Sequence, residues 1–572
     1  MFKFKKLFAI ILALCVLLLT SCEYKVEINS IPSDDNNSVT SGNNSVNGNS
    51  SVTRPPWVTN SSKNESTDNS YTPTVKPDGS VTLKPSEPQD STSSTDEKHV
   101  DEDNNGRCDK CNKSVLVYID FFAVNDLHGK INDNEKQPGV DELTTYFKLM
   151  YQNEDNVVVL SSGDMWQGSS ESNLTKGNLT TEWMNYIGFE GMAIGNHEYD
   201  WGSAAIENNS KIADFPLLAI NVYAKNDNQR VDYCKSSVLI ERDGVKIGII
   251  GAAGNNYSSI ASDMSKDVYF KTGKELTALV KAESEKLRKQ GADIIVYSLH
   301  DGHNKSSSGK GMIADDTLKS YYDVSLSSGG YVDVVFEAHT HQNYVLKDSY
   351  DVYHLQGGGE NKGITHVEIA VNIANDNKVV TDAEFVSNSI YQNLEEDNIV
   401  KNLLKKYERE LEISSKVLGK NPTTKNSEYI EDLVAQLYYE KGVEKWGDKY
   451  DIVLGGGFLR LRSPYYLYAG EVSYSDLLSI LPFDNELVLC SIKGSDLKSK
   501  FFETDNEDYH IYYGSYGSSV KNNIQSSKTY YIIVDSYTST YKYNNLTEIE
   551  RLGPDVYARD LLADYILAGR LK

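Results

Sequence analysis

From residue 114 onward, apolar runs alternate with segments whose apolar residues recur at helical spacing. The runs "VLVYIDFFAV", "NVVVLSSG", "ADIIVYSL" and "YVDVVFEA" predict buried strands. The segments "VDELTTYFKLMYQ" and "GKELTALVKAESEKLRKQG" predict helices, and the second should stop at Gly291. "SVLIERDGVKIGIIGAAG" predicts a hairpin that turns at Asp243 and Gly244. Strands that alternate with helices are typical of the α/β class.

A second unit of the same class follows a charged stretch. "EEDNIVKNLLKKYERELEIS", near residues 395–415, predicts a helix on its own. Beyond it, "EDLVAQLYYEKG" predicts another helix and "YDIVLGG" another strand. We therefore predict a first domain at residues 114–395, a linker helix at 396–420 and a second domain at 421–572.

The N-terminus has the pattern of an export signal. A positive region containing Lys3, Lys5 and Lys6 precedes an apolar run at residues 7–19, which is short for a membrane span. The run ends in "LTSC", which resembles the bacterial lipoprotein signal, with an ordinary signal peptide as the alternative. The lipoprotein interpretation predicts a signal peptide at residues 1–21, lipidation of Cys22 and a membrane-anchored protein facing the outside of the cell.

The residues after Cys22 are rich in Ser, Asn and Pro and poor in apolar side chains. Such a segment cannot bury enough surface to fold, so residues 22–98 are predicted to be a disordered tether. We expect it to hold the globular domains away from the membrane.

A short motif, "HVDEDNNGRCDKC", stands between the tether and the first domain, at residues 99–113 in our division. Asp101 and Asp103 follow the early spacing of a calcium loop. His99, Cys108 and Cys111 instead suggest three ligands of a zinc knuckle. A small turn, disulfide-closed or without structure, is the remaining interpretation. Two further cysteines are isolated in the sequence and fit packed core residues, although a disulfide between them stays open: Cys234 and Cys490.

The net charge of the chain limits the kinds of partner that it is expected to bind. The chain has 572 residues, a formal net charge of -25 and a pI of about 4.9. A protein this acidic is a poor candidate for binding nucleic-acid polymers. An anionic substrate would need a local reversal of the field, which bound metal ions commonly provide.

Polar residues of a particular kind follow the predicted strands. Five separate strand ends carry Asp, Asn or His, and six of the ten histidines of the chain belong to this set. Imidazole, carboxylate and amide ligands together suit Zn²⁺, Mn²⁺ or Fe²⁺, and a pair of such ions suits phosphoester hydrolysis. The residues are Asp126, His128, Asp164, Gln167, Asn196, His197, Asp200, His300, His303, His339 and His341.

Five sequence blocks in this region resemble the calcineurin-like metallophosphoesterases, in particular the bacterial 5′-nucleotidase and UDP-sugar hydrolase family. The blocks are "NDLHG", "SSGDMWQGS", "GNHEYD", "SLHDGH" and "EAHTHQ". The resemblance implies a β-sandwich flanked by helices and a C-terminal α/β nucleotide-binding domain joined by a helix. It also implies two divalent ions, one held by Asp126, His128 and His341 and the other by Asn196, His300 and His339. Asp164 would bridge them, and His197 would act in catalysis with Asp200.

The second domain resembles the nucleotide-binding half of that family through "DIVLGGGFLRLR", "GEVSYSDLLSILPFDNELV" and "YYIIVDSYTSTYKYNN". The resemblance implies a phosphate-binding arginine and side chains that contact the base. Gly455 stands where the family usually has Asn, and the third block lacks the usual Gly-Gly-Asp. The implied substrate residues are Arg460, with Arg462 in reserve, Phe483, Asn485, and Tyr541 or Tyr543.

These observations favour a surface-anchored phosphohydrolase that removes phosphate from extracellular nucleotides. A 2′,3′-cyclic nucleotide phosphodiesterase, a 3′-nucleotidase or a UDP-sugar hydrolase are alternatives within the class, because the metal motifs do not select the leaving group. A non-catalytic surface binding protein would predict broken ligand positions, and none is broken. A third class is a surface protein that attaches through residues 99–111. The sequence leaves the native metals and the oligomeric state open.

Overall fold

The computed structural model describes residues 99–132, 139–260, 263–303, 321–462, 464–503, 509–542, 545–553 and 556–572. It also gives the antiparallel strand pair Thr74–Val75 (β1) and Val81–Thr82 (β2). The predicted signal peptide, Cys22 and most of the tether lie outside the described residues, as do Tyr543 and the side chain of Tyr541. Within the described part of the chain, no helix is both long and apolar enough to cross a membrane.

The first domain contains fourteen strands and six α-helices among its described residues. The strands are β3 Leu116–Val124, β4 Val157–Ser161, β5 Met192–Ala193, β6 Leu217–Leu218, β7 Val222–Ala224, β8 Ser237–Arg242, β9 Val245–Ala252, β10 Val268–Phe270, β11 Ile294–Leu299, β12 Val334–Phe336, β13 Asn343–Lys347, β14 Tyr353–Gly357, β15 Gly363–Asn372 and β16 Asn377–Ser387. The helices are α1 Asp141–Asn153, α2 Ser170–Leu174, α3 Asn178–Ile187, α4 Ser203–Ile212, α5 Lys274–Lys289 and α6 Ser325–Ser328.

Two six-stranded sheets form a sandwich. One has the order β16-β15-β3-β4-β5-β6 and the other β13-β14-β12-β11-β9-β8. Strands β3 to β6 run parallel, as do β9, β11, β12 and β14. Apolar side chains from both sheets meet in one buried cluster, to which Phe121 and Val158 contribute from the first sheet and Ile249 and Val296 from the second. This core confirms the predicted sandwich.

Helices cover the outer faces of the sandwich. Side chains of α1 and α3, including Phe147 and Trp183, pack into a core on the outer face of the first sheet. The amphipathic α5 buries Leu276, Val280 and Leu287 on the outer side of the second. Its chain leaves the helix at Gly291, where φ is +91°, so the predicted stop is confirmed. The hairpin between β8 and β9 also turns at Asp243 and Gly244 as predicted.

The predicted linker helix is shorter than expected. Helical structure covers α7 Ile399–Lys406 and α8 Glu408–Leu411, and the rest of the 396–420 segment includes the start of a strand, β17 Val417–Asn421. The hydroxyl of Ser414 donates to the carbonyl of Leu411, which helps to end the helical stretch. β17 then pairs with Gly470–Ser473, so tertiary pairing overrides the local charge pattern.

The second domain is built on one mixed sheet. Its elements continue with α9 Ser427–Trp446, β18 Ile452–Phe458, β19 Gly470–Ser473, α10 Tyr474–Ile480, β20 Leu487–Lys493, α11 Gly494–Leu497, β21 Tyr509–Tyr512, α12 Val520–Asn523, β22 Thr529–Asp535, β23 Thr547–Arg551 and α13 Ala558–Leu567. The sheet order is β21-β18-β22-β20-β23, with β18 and β22 parallel. One face packs against α9 and α13 and the other against Phe501 and its neighbours, which confirms a second α/β domain.

Candidate functional site

The site lies at the carboxyl ends of central strands from both sheets. β3, β4, β5, β11 and β12 each end one to three residues before a polar side chain of the predicted set. Because these ends meet at one edge of the sandwich, residues far apart in sequence converge there. The first such residues are Asp126, Asp164, Asn196, His300 and His339.

The converging side chains form two groups of metal-ligand type. Asp126, His128 and His341 offer ligand atoms that all lie within 4.8 Å of one another, and so do Asp164, His300 and His339. The backbone N–H of His339 donates to the Asp126 carboxylate at 3.0 Å, so the two groups are adjacent.

Asn196 completes the second group. Its Oδ1 lies 2.8 Å from Nδ1 of His339 and 3.1 Å from Nε2 of His300. The structure thus brings together all seven residues predicted as metal ligands.

Backbone strain accompanies this convergence. Five of the seven residues have φ between 49° and 69°, in the left-handed region that non-glycine residues avoid. Each such residue costs on the order of 1–3 kcal/mol and is typical of functional sites. The residues are Asp126, His128, Asp164, His339 and His341.

Glycines let the two central loops approach. A Cβ at Gly195 would lie 2.2 Å from Oδ1 of Asp164. Gly163 has φ of +95°, and a Cβ there would lie 2.7 Å from the backbone nitrogen of Gly195. No other residue fits at position 195 without displacing Asp164, which explains why glycine precedes Asn196.

Glu198 fastens these loops together. This buried carboxylate accepts the backbone N–H groups of Gly195 at 2.7 Å, Asp164 at 2.9 Å and Met165 at 2.8 Å. Glu198 therefore holds the ligand loops in place through their backbone.

Hydrogen bonds to carbonyl groups orient two of the imidazoles. Nδ1 of His128 lies 2.7 Å from the carbonyl oxygen of Gln167, and Nδ1 of His300 lies 2.8 Å from that of Ser162. A carbonyl only accepts, so Nδ1 carries the proton in both rings. Nε2 is then the nitrogen available as a ligand.

Electrostatics favour neutral imidazoles at three positions. Burial lowers the pKa of His128, of His339 to about 4 and of His341 to about 3, and the Arg462 guanidinium adds to each effect. A neutral imidazole is the form that binds a metal ion.

The buried carboxylates of the site need positive charge beside them to remain ionised. Burial raises the pKa of Asp126 to about 7. Burial opposes the charge of His300, but the neighbouring Asp164 carboxylate dominates and raises the pKa of His300 to about 10. Carboxylate, amide and imidazole donors around such charges fit divalent ions of the Zn, Mn or Fe type.

His197 lies beside the two groups, at the start of a 3₁₀ turn that covers His197–Trp201. Its Nδ1 is 2.7 Å from Oδ2 of Asp200, and its backbone N–H donates to Oδ1 of Asp164 at 2.8 Å. Burial opposes its charge, yet Asp200 and Asp164 raise the pKa of His197. The ring is therefore tied to Asp200 through one nitrogen and presents the other, Nε2, away from it.

A cavity of about 410 Å³ opens over these residues and is shared by both domains. The first domain lines it with His128, His339 and His341, and with Lys130 and Glu360. The second domain contributes Arg460, Arg462, Tyr465 and Ser479. Three cationic side chains thus face one polar cavity in a chain of net charge -25.

The family models agree with this architecture. Residues 119–343 match the calcineurin-like phosphoesterase model, and residues 415–532 match the 5′-nucleotidase C-terminal domain. The chain is a calcineurin-like phosphoesterase with a 5′-nucleotidase C-terminal domain. It is accordingly a metal-dependent hydrolase of phosphoester bonds.

Curated relatives and a solved structure share both domains. The phosphoesterase is 28% identical to Protein UshA of Yersinia enterocolitica over 435 residues, which covers 68% of this chain and 76% of UshA. It is 23% identical to a 5′-nucleotidase of Vibrio vulnificus over 427 residues, covering 66% and 74% of the two chains. A 5′-nucleotidase precursor from Thermus thermophilus has the same fold, with a TM-score of 0.60, 16% identity and coverage of 79% and 97%.

The two arginines that the sequence offered for phosphate binding, Arg460 and Arg462, have different positions. Both line the cavity, but Arg462 reaches the first domain, where its Nη2 donates to Nε2 of His197 at 2.6 Å. Arg462, the reserve in the prediction, is therefore the arginine that contacts the histidine, whereas Arg460 is exposed at the cavity.

The residues predicted to contact a base have partners within the protein. The Phe483 ring stacks on His197, with centroids 5.9 Å apart and planes at 26°, and Arg462 lies 5.5 Å above the same ring. Asn485 donates to the Asp535 carboxylate at 3.2 Å. Gly455 has no room for the usual Asn, since a Cβ there would lie 2.4 Å from the backbone nitrogen of Tyr439.

One residue inside the first motif and one directly after it were missed in the sequence analysis. Asn125 donates to Asp126 at 2.6 Å and to the carbonyl of Gly358, and it accepts the N–H of Gly357 at 2.9 Å. Lys130 lines the cavity. Lys130 is not of a metal-ligand type, and the motif does not reveal that the Asn125 amide is bonded to Asp126 and to the Gly357–Gly358 backbone.

Four further residues named from the sequence lie outside the two ligand groups: Gln167, His303, Cys234 and Cys490. Gln167 and His303 are buried, and the side-chain amide of Gln167 and Nε2 of His303 have no hydrogen-bond partner among the described residues. The disulfide left open between Cys234 and Cys490 does not form, because both thiols are free and belong to different cores.

Proposed function

We propose that the protein is a di-metal phosphohydrolase that removes phosphate from extracellular nucleotides, as a 5′-nucleotidase does. The observation that carries the proposal is the shared cavity. In it, two metal-ligand groups of the first domain face arginines of the domain that matches the 5′-nucleotidase model. We call the cavity residues of the first domain the first wall and those of the second domain the second wall. An enzyme that acted on the phosphate without selecting the rest of the substrate would not need the second wall.

The charge of the cavity supports a phosphate ester as substrate. Lys130, Arg460 and Arg462 provide cations where the rest of the chain is acidic. Arginine binds phosphate oxygens through two parallel N–H groups, which fixes the orientation of the ester.

Each of the two groups of ligands would bind one metal ion. Asp126, His128 and His341 would hold one divalent ion, and Asn196, His300 and His339 the other, with Asp164 between them. Such ions supply the Lewis acidity that phosphoester hydrolysis needs at neutral pH.

His197 is suited to handle the proton of the leaving oxygen. Its bond to Asp200 fixes the ring and supports the charge of the protonated form. Arg462 donates to Nε2 in this structure, so the nitrogen is occupied. A bound phosphate competes for the guanidinium of Arg462, and Nε2 then becomes free to carry a proton to the leaving oxygen.

In this proposal, the second wall selects the substrate by contacting its base. We propose that Phe483 stacks on the base and that Asn485 hydrogen-bonds it, with Tyr541 or Tyr543 on the opposite face. Phe483 lies directly against His197, so a base at that ring places its phosphate near the metal-ligand groups. A 2′,3′-cyclic nucleotide phosphodiesterase, 3′-nucleotidase or UDP-sugar hydrolase would use the same metal groups with a different fit at this wall.

A substrate panel tests the proposal. The full chain, solubilised and supplied with Mn²⁺ or Zn²⁺, is assayed with AMP, 3′-AMP, 2′,3′-cyclic AMP, UDP-glucose and an aryl phosphate. We expect the highest kcat/KM for AMP. A higher value for the cyclic nucleotide, 3′-AMP or UDP-glucose would replace the 5′-nucleotidase assignment with that activity. No hydrolysis of any of them would support the non-catalytic alternative.

The proposal includes the anchor. We infer from "LTSC" that Cys22 is lipidated and that the protein stays on the outer face of the membrane. The Cys22→Ser variant should appear in the soluble fraction, while the native chain remains with the membrane after high-salt washing. A variant that stays membrane-bound would contradict this anchor.

A further inference from the structure

We propose that His99, Cys108 and Cys111 bind a third metal ion, of the Zn²⁺ class, at the start of the phosphoesterase domain. This site is separate from the catalytic ligand groups and does not depend on the proposed nucleotidase activity. Its ligands occupy the short segment that connects the predicted tether to β3.

The ligand atoms of this cluster already converge. One atom from each of the three side chains lies within 4.8 Å of the others, and Nδ1 of His99 is 3.6 Å from Sγ of Cys111. Both thiols are free, so the disulfide-closed turn considered from the sequence is wrong for this structure. Two thiols in a Cys-x-x-Cys turn with one imidazole are the ligand types that select Zn²⁺ over Ca²⁺, Mg²⁺ or Mn²⁺.

Backbone hydrogen bonds hold the turn that carries Cys108. The backbone N–H of Cys108 donates to the carbonyl of Lys113 at 2.9 Å, and that of Asp109 donates to the carbonyl of Val100 at 2.7 Å. The carbonyl of Cys108 accepts the N–H of Asn112 at 2.7 Å, which closes the turn. These bonds fix the backbone turn that brings the Cys108 sulfur within 4.8 Å of ligand atoms of His99 and Cys111.

The neighbouring aspartates have a different role. The carboxylate of Asp101 accepts the backbone N–H groups of Asn105 at 3.0 Å and Gly106 at 2.9 Å, and the Asn372 amide at 2.6 Å. Asp103 accepts from Asn105. Oxygens of Asp101, Asp103 and Asp109 also lie within 4.8 Å of one another, but each carboxylate accepts N–H groups of the loop itself, so these side chains serve to fold the turn.

The same bonds fix the segment to the phosphoesterase domain. Asn372 ends β15, and Asn375, in the turn that follows, donates to the carbonyl of Asp101 and to Asn104. The metal-binding turn is therefore held against the β15–β16 hairpin, and an ion there would lock the point where the chain leaves the domain. Cys111 is exposed and His99 half-buried, so a fourth ligand from solvent has access.

Cobalt substitution tests the site directly. Co²⁺ bound by cysteine thiolates gives a thiolate-to-metal charge-transfer band, and none of the catalytic ligand residues is a cysteine. We expect the full-length protein loaded with Co²⁺ to show this band and the Cys108→Ser/Cys111→Ser variant to lack it. The metal content of the Zn²⁺-loaded protein should fall from about three to about two equivalents in the variant.

Controls separate this site from the catalytic one and from a folding defect. Asp103→Asn should keep the band and the third equivalent, whereas loss of both would favour a carboxylate site and overturn the assignment. In the native chain, a mercurial reagent should release one Zn²⁺ without abolishing phosphatase activity, which checks the site without any substitution. Absence of the band in the native protein, or a mass showing that the two thiols are oxidised to a disulfide, would also overturn it.

Discussion

The two walls of the cavity are built in different ways. On the phosphoesterase wall, each ligand loop is fixed by bonds within its own domain, such as those of Glu198 to three backbone N–H groups. On the second wall, bonds within the domain also hold the backbone of Arg462 and Phe483, but their side chains contact His197 of the other domain.

Under the proposed function, the first wall would carry out the chemistry and the second wall would select the substrate. The strained, buried loops of the first wall hold a fixed ligand geometry, which phosphoryl transfer requires. Arg462 and Phe483 of the second wall contact the histidine through their side chains alone. Variants on the first wall should therefore damage the hydrolysis of every substrate, and variants on the second should discriminate among substrates.

The largest expected effect comes from the carboxylate between the ligand groups. Asp164→Asn keeps the shape and removes the charge, so activity on AMP and on an aryl phosphate should fall by at least about 10³-fold. Asp155→Asn is the matched control, since this exposed residue precedes β4 and Asp164 follows it. Near-native turnover of remetallated Asp164→Asn would falsify the di-metal proposal.

The next effect distinguishes two histidines on the first wall. His197→Ala should retain its metal and lose roughly 10²- to 10⁴-fold in kcat, because it removes a proton donor. His339→Ala should lose metal as well as activity, because it removes a ligand. Elemental analysis of both variants provides the comparison. The reverse pattern, with metal lost from His197→Ala and kept in His339→Ala, would show that the roles are exchanged.

A smaller and selective effect is expected on the second wall. Base stacking contributes about 1–3 kcal/mol, so Phe483→Ala should lower kcat/KM for AMP by roughly 5- to 150-fold. The loss on an aryl phosphate should be smaller by at least about 5-fold, and Asn485→Ala should show the same selectivity with a weaker effect.

The half-buried Phe502 in the other core of the second domain is the matched control for packing. Phe502→Ala should lower the melting temperature without changing the ratio of the two activities. Equal losses on both substrates in Phe483→Ala would mean that this ring supports His197 and does not bind a base.

The smallest effect is a shift in the titration of His197. Arg462 lowers the pKa of this histidine and Asp200 raises it. Removing the neighbouring cation favours the protonated ring, so Arg462→Gln should raise the pKa of His197, and Asp200→Asn should lower it, each by on the order of one unit.

Imidazole NMR titration of the enzyme measures these shifts. The alkaline limb of kcat, which reports loss of the proton, should move to higher pH in Arg462→Gln and to lower pH in Asp200→Asn. An unchanged pKa in Arg462→Gln would show that the second wall does not reach His197 in solution.

Much of the first wall was predictable because its information is local. The period of the apolar residues identifies β3, β4 and β11, and a strand that stops at a turn leaves the next polar residues at the sheet edge. The order of the five sequence blocks then identified Asp126, Asp164, Asn196 and the histidines as candidate site residues. The linker prediction failed at its end because β17 forms only through pairing with Gly470–Ser473, which no local pattern encodes.

The sequence by itself determined the two α/β domains and the ligand types at the strand ends, since periodicity and side-chain chemistry are properties of short stretches. Only the tertiary structure decided which arginine meets His197, because that contact joins residues 265 positions apart. It also decided where the 99–113 motif lies on the first domain, because the Asn372 amide donates to the Asp101 carboxylate. Contacts of this kind depend on how separate elements pack, and a distance between two side chains exists only once both have been placed.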